Sequence, residues 1–174
     1  MVFLIPWLLS CAHNDNKARS ENLITKEVLD VAIKYARDKF KEPKETVAQD
    51  GIVTIVEKQI NFVTPSAYQT KYVIDPSKIL IGLIDDDADE DAIITISLFK
   101  GYIEMPESLI LIKTDGKLVL NRSIEADMRI MGIKDRVITA EVFTRPRNSP
   151  LHNCAACKEV VKYQFRTGDL VRIE

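Results

Sequence analysis

Cys154 and Cys157, with His152 just upstream, are the side chains of this sequence best suited to chemistry. In Cys154-Ala155-Ala156-Cys157 the thiols have the spacing of a disulfide-exchange pair, or of half a structural zinc site with His152 as a third ligand. Exchange requires the first cysteine at the N-terminus of a helix, and here an apolar, strand-like run follows the pair. A complete zinc shell requires a fourth ligand, and the nearest Cys or His candidates are Cys11 and His13. The third reading is a local disulfide that pins a long loop. Arg145 and Arg147, close to Phe143 and His152, form a candidate anion-binding patch, because guanidinium groups grip carboxylate or phosphate in a bidentate way. A solvated loop is the alternative for the same two residues.

The second chemical feature is acidic. Asp85, Asp86, Asp87, Asp89, Glu90 and Asp91 stand within seven residues and lead straight into the apolar run Ala92-Ile93-Ile94-Thr95-Ile96-Ser97-Leu98-Phe99. Like charges this dense repel unless water, basic groups or a cation screen them, so the loop belongs at the surface and the strand it feeds in the core. Leu83 to Ile94 resembles the Asp-rich loop of FG-GAP and related calcium-binding β-repeats. Asp85, Asp87 and Asp91 match its third, fifth and ninth positions, while Leu83, Asp86 and Ala88 replace an Asp and two glycines. The resemblance implies a millimolar-range calcium site on Asp85, Asp87 and Asp91, or a degenerate turn that keeps the loop's shape alone. Paired catalytic carboxylates are a third reading, which would need burial or a held like-charge pair to raise a pKa.

The remaining signals exclude more than they assign. The formal charge of −2 and the absence of a basic stripe with interleaved aromatics argue against nucleic acid as a partner. No G-x-G-x-x-G, P-loop, G-x-S-x-G or H-E-x-x-H motif occurs.

The chain opens with an uncharged apolar run that ends Leu8-Leu9-Ser10-Cys11. This run resembles the bacterial lipobox. The resemblance implies a signal peptide over residues 1–10, a lipid thioether on Cys11 and a mature chain starting there. It also implies a polar tether over 11–24, including His13, and one folded domain over 25–174, at 174 residues in all. With Cys11 lipidated, Cys154 and Cys157 remain as an even pair. A buried N-terminal strand with a free thiol is the alternative.

The elements that must position these residues follow from periodicity. Leu29, Ile33, Ala36 and Phe40, widened by Val28, Ala32 and Tyr35, predict an amphipathic helix from Thr25, its N-cap, to Lys41, before Pro43. Strand-like runs follow over 52–63, from Tyr68 to a stop at Asp75-Pro76-Ser77, over 79–84 and over 92–99. Asp115-Gly116, Lys134-Asp135 and Thr167-Gly168 then mark three hairpins. Strands at short spacing without intervening helices predict an antiparallel sheet. The expected fold is α+β: one N-terminal helix packed on a curved antiparallel meander of about seven to nine strands.

From the acidic loop to the terminal hairpin, about Lys78 to Glu174, this order is similar to that of small bacterial cell-envelope lipoproteins of unassigned function. The resemblance implies a domain lipid-anchored to a membrane and facing the periplasm or exterior, and the lack of a catalytic constellation leaves, by elimination, a non-enzymatic binding or accessory role. The rival readings are a thiol or metal protein working through His152, Cys154 and Cys157, and a calcium-dependent adhesion module.

Overall fold

A computed structural model of the chain describes residues 9–40, 52–56, 59–63, 70–100, 103–125, 128–145 and 154–173. Among these residues, helix α1 spans Leu9–Phe40 and is followed by ten strands. These are β1 (Ile52–Val56), β2 (Gln59–Val63), β3 (Thr70–Gly82), β4 (Asp91–Lys100), β5 (Ile103–Thr114), β6 (Lys117–Ile124), β7 (Met128–Lys134), β8 (Val137–Phe143), β9 (Lys158–Arg166) and β10 (Asp169–Arg172). All neighbouring strands are antiparallel. They form two sheets, one ordered β1-β2-β3-β4-β5-β6 and one ordered β10-β9-β8-β7.

The expected single meander is therefore divided in two, and β4 and β5 show why. Along β4, Ala92, Ile94 and Ile96 join the core under the helix, while Ile93, between them, joins the core under the second sheet. Along β5, Leu109 and Leu111 take the helix side, and Ile110 and Ile112 the opposite side. Successive strand residues point to opposite faces, so these continuous apolar runs need cover on both. The helix supplies one layer and the second sheet the other.

Helix α1 begins far upstream of Thr25, which lies in its interior. No Gly or Pro interrupts Leu9–Phe40, and the polar stretch contains Ala, Lys, Arg and Glu, so nothing local ends the helix before the core begins. The stretch expected as a tether, including Cys11 and His13, is thus helical backbone. Among the side chains described, the core face of the helix runs through Ile24, Val28, Ala32 and Ala36, with Leu29, Ile33 and Tyr35 partly buried beside it. The alanines at the centre of the face let the helix lie close to the sheet. No helix among the described residues is long and apolar enough to cross a membrane.

Several expected boundaries move. The run 52–63 is two strands, β1 and β2, rather than one. Asp75-Pro76-Ser77 does not end β3; it produces a register break between Ile74 and Ile79. There the Ser77 amide and hydroxyl both donate to Asp75 Oδ1, at 2.9 and 2.7 Å, so the side chain stands in for ladder bonds. Asp115-Gly116 and Thr167-Gly168 are two-residue turns with left-handed backbone at both positions. The third turn is Asp135-Arg136, one residue later than expected, with φ of 51° and 62°. At Gly82 the first sheet lies close against the second: an added Cβ would lie 3.0 Å from Ile133 Cγ2 of β7.

Candidate functional site

The acidic loop joins β3 to β4, and the residue that organises it is Asp91, the first of β4. Its side chain is fully buried. Oδ2 accepts the amides of Ile84 at 2.9 Å and Asp85 at 3.3 Å, and Oδ1 accepts the amide of Lys113 at 2.9 Å. One carboxylate thus ties both ends of the loop to the end of β5 by charge-assisted hydrogen bonds. Further out, Asp85 Oδ1 accepts the Asp87 amide at 3.0 Å, and Asp87 Oδ1 accepts the Asp89 amide at 2.8 Å. These are successive Asx turns, the local bonds by which aspartates replace glycines in tight turns.

The loop is closed from the second sheet. Arg136, at the tip of the β7–β8 hairpin, donates from Nε to the carbonyl of Asp85 at 2.6 Å. Its Nη2 donates to the carbonyl of Asp87 at 2.7 Å and, more distantly, to that of Asp86 at 3.4 Å. The guanidinium satisfies three backbone carbonyls of the loop. Burial pushes the Asp85 carboxyl above its usual range; the Asp87 amide opposes this rise, and the charges of Asp91 and Asp87 add to it.

The geometry uses the three predicted calcium ligands as backbone acceptors. Asp85 and Asp87 face amides of their own loop, and Asp91 is turned inward. Among the described residues, no three His, Cys, Asp or Glu side chains come together as a metal site.

Cys154 and Cys157 form a disulfide, with Cα atoms 5.2 Å apart. It closes a 3-10 turn, Ala155–Cys157, immediately before β9. The Cys157 amide donates to the Cys154 carbonyl at 2.9 Å, and the Thr144 amide donates to the Cys157 carbonyl at 2.8 Å. Cys157 is buried. The pair therefore fixes the return of the long β8–β9 connection onto the sheet. His152 and Arg147 lie outside the described residues, as does the run 1–8; Arg145 is exposed.

Sequence reasoning missed one polar cluster, at the interface of helix and sheet. Glu107 of β5 is buried on the helix side, opposite Ile96, and Tyr35 of α1 donates its hydroxyl to Glu107 Oε1. Burial raises the Tyr35 phenol, and the Glu107 hydrogen bond adds to the rise. Burial also lifts Tyr72 to about 12, with the charge of Glu107 contributing. Lys39 donates to Glu125 at 3.2 Å, and the hydrogen bonds to Tyr35 and Glu125 hold its ammonium protonated beyond the usual lysine range. Beside this cluster, a groove of about 660 Å3 separates α1 from β6, with Val31, Tyr35 and Lys39 on one wall and Leu118 and Leu120 on the other. The one signal in the sequence is Glu107 itself, a carboxylate next to an apolar strand run.

Among known proteins, no family model, no curated protein and no solved structure matches this chain.

Proposed function

We propose that this protein is a non-enzymatic, lipid-anchored domain of the bacterial cell envelope, facing the periplasm or the cell exterior, with a binding or accessory role. The observation that carries the reading is the sequence run Leu8-Leu9-Ser10-Cys11, close ahead of the helix face that packs on the first sheet through Ile24, Val28, Ala32 and Ala36. Two features support it. The Cys154–Cys157 disulfide suits an oxidising compartment. The carboxylates most concentrated in the sequence hold their own loop, with Asp91 engaged by three amides.

The test is the intact mass of the protein purified from its native membrane, with thiols alkylated before and after reduction. A mass beginning at Cys11 plus lipid, with Cys154 and Cys157 alkylated only after reduction, is expected. An unprocessed Met1 or freely alkylated cysteines would overturn the anchor or the compartment.

A further inference from the structure

The second sheet packs one face on the first and leaves the other outward. Ile130, Ile138, Ala140 and Phe165 fill the inner face. The registers place the alternate residues on the outer one. Arg129, Glu141 and Val160 form one row, Thr139 and Lys162 the next, and Lys134, Val137, Gln164 and Val171 a third. Lys158 beside Phe143 and Arg166 beside Asp169 close the two ends. Helix α1 lies against β3, β4 and β6, on the far side of the first sheet, and leaves this face uncovered.

Two properties coincide there. Val160 is 63% exposed and Val171 40%, so aliphatic side chains stand in water on this face. Among the described residues of this face are Arg129, Lys134, Lys158, Lys162 and Arg166, with the carboxylates Glu141 and Asp169. Both carboxylates are already in ion pairs. Glu141 lies 3.4 Å from Arg129 and 3.3 Å from Lys158, and Asp169 lies 2.9 Å from Arg122 of the first sheet. The surface therefore carries a net positive charge over an aliphatic ground.

We infer that this face docks on an anionic lipid bilayer. The inference rests on the anchor reading above, because an anchor on Cys11 would hold the protein at a membrane. A protein partner is the less suitable occupant. Tight protein interfaces are depleted of lysine at their centre, whereas Lys134, Lys158 and Lys162 stand across this face beside Arg129 and Arg166. Cations interleaved with shallow aliphatic groups match a charged headgroup layer, where each basic residue strengthens adsorption on the order of fivefold.

The test uses the full chain carrying Cys11→Ser, which blocks the lipid attachment. Sedimentation with vesicles of phosphatidylglycerol and phosphatidylcholine in equal parts is compared with sedimentation with phosphatidylcholine alone. Excess binding to the anionic vesicles is expected, falling with added salt, and on the order of 25-fold weaker for each of Lys134→Glu and Lys162→Glu, because each reversal changes the charge by two. Val160→Ser, which leaves charge unchanged, is expected to weaken it as well. The apolar run 1–10 is present in every variant, so their differences report on the sheet. Equal binding to both vesicles, no binding to either, or indifference to Lys134→Glu and Lys162→Glu would overturn the inference, and binding to acidic proteins without lipid binding would assign the face to a protein partner instead. The native mass at Cys11 tests the anchor separately. An unlipidated Cys11 with retained vesicle binding removes the anchor alone, and a lipidated Cys11 without vesicle binding removes the docking face alone.

Discussion

Arg136 of the second sheet donates from Nε to the backbone carbonyl of Asp85 in the first, across 2.6 Å. The contact is made from left-handed backbone, with Arg136 at φ 62°, a conformation disfavoured for an arginine. A single residue thus joins the two sheets where the chain's negative charge is densest, and the first prediction concerns it. Lysine cannot reproduce the fork that reaches Asp85 and Asp87 together. Arg136→Lys should leave the fold intact, lower stability by about 1 kcal/mol and speed amide exchange over residues 84–90. Exchange by mass spectrometry checks this, and unchanged protection of the loop would remove the latch role.

Asp91 should be the most sensitive residue of the loop. Asp91→Ala leaves three buried or half-buried amides without an acceptor, and the expected loss is on the order of 3 to 5 kcal/mol. Asp91→Asn keeps one oxygen and should cost on the order of 1 to 3 kcal/mol. Urea denaturation of both variants gives the comparison. Equal, small losses would show that the amides find water.

The disulfide spans a sequence separation of 3, so it removes little chain entropy. Cys154→Ser with Cys157→Ser should cost about 2 kcal/mol, with exchange increasing around Thr144 and the start of β9. In the rival reading, the same pair of substitutions abolishes metal uptake or disulfide reductase activity of the wild-type protein, and an assay of each decides between them.

Alkaline pH should weaken the helix–sheet interface. Tyr72 rises from 10.0 to about 12, chiefly through burial. Between these values the unfolded chain releases the phenolic proton while the folded one keeps it. Stability is therefore full below about pH 10 and falls as pH rises toward 12. The raised Tyr35 adds in the same direction. Tyr72→Phe should flatten the decline in urea midpoint above pH 10; an unchanged slope would place it elsewhere.

Tyr35→Phe tests the tie between α1 and β5. It leaves the Glu107 carboxylate buried without the phenol, an expected loss on the order of 1 to 3 kcal/mol. The loss should appear together with faster exchange in the helix from Ile24 onward.

Local sequence signals were sufficient wherever backbone geometry or proximity along the chain made the decision. Asp115-Gly116 and Thr167-Gly168 announce their turns because each ends in a glycine at positive φ, 75° and 82°. The strand leaving the acidic loop follows from its β-branched run, and the closeness of Cys154 and Cys157 follows from their spacing. Asp135-Arg136 carries no glycine, so its exact position depended on tertiary contacts. The start of α1 was hidden for a related reason: a polar stretch without Gly or Pro permits helix and tether alike.

The amino-acid sequence by itself determined that β4 and β5 are buried, since their apolar residues occupy both strand parities. Only the tertiary structure decided what covers them, with α1 on Ile94 and Leu111 and the second sheet on Ile93 and Ile110. It also decided the fate of the carboxylates. Seven residues of sequence present six acids as equals, whereas the fold buries Asp91 against three amides and leaves Asp86 and Asp89 in water. The physical reason is that periodicity reports whether a side chain prefers burial. The partner it meets there comes from strands as distant in the chain as Lys113 and Arg136, which only folding brings to the loop.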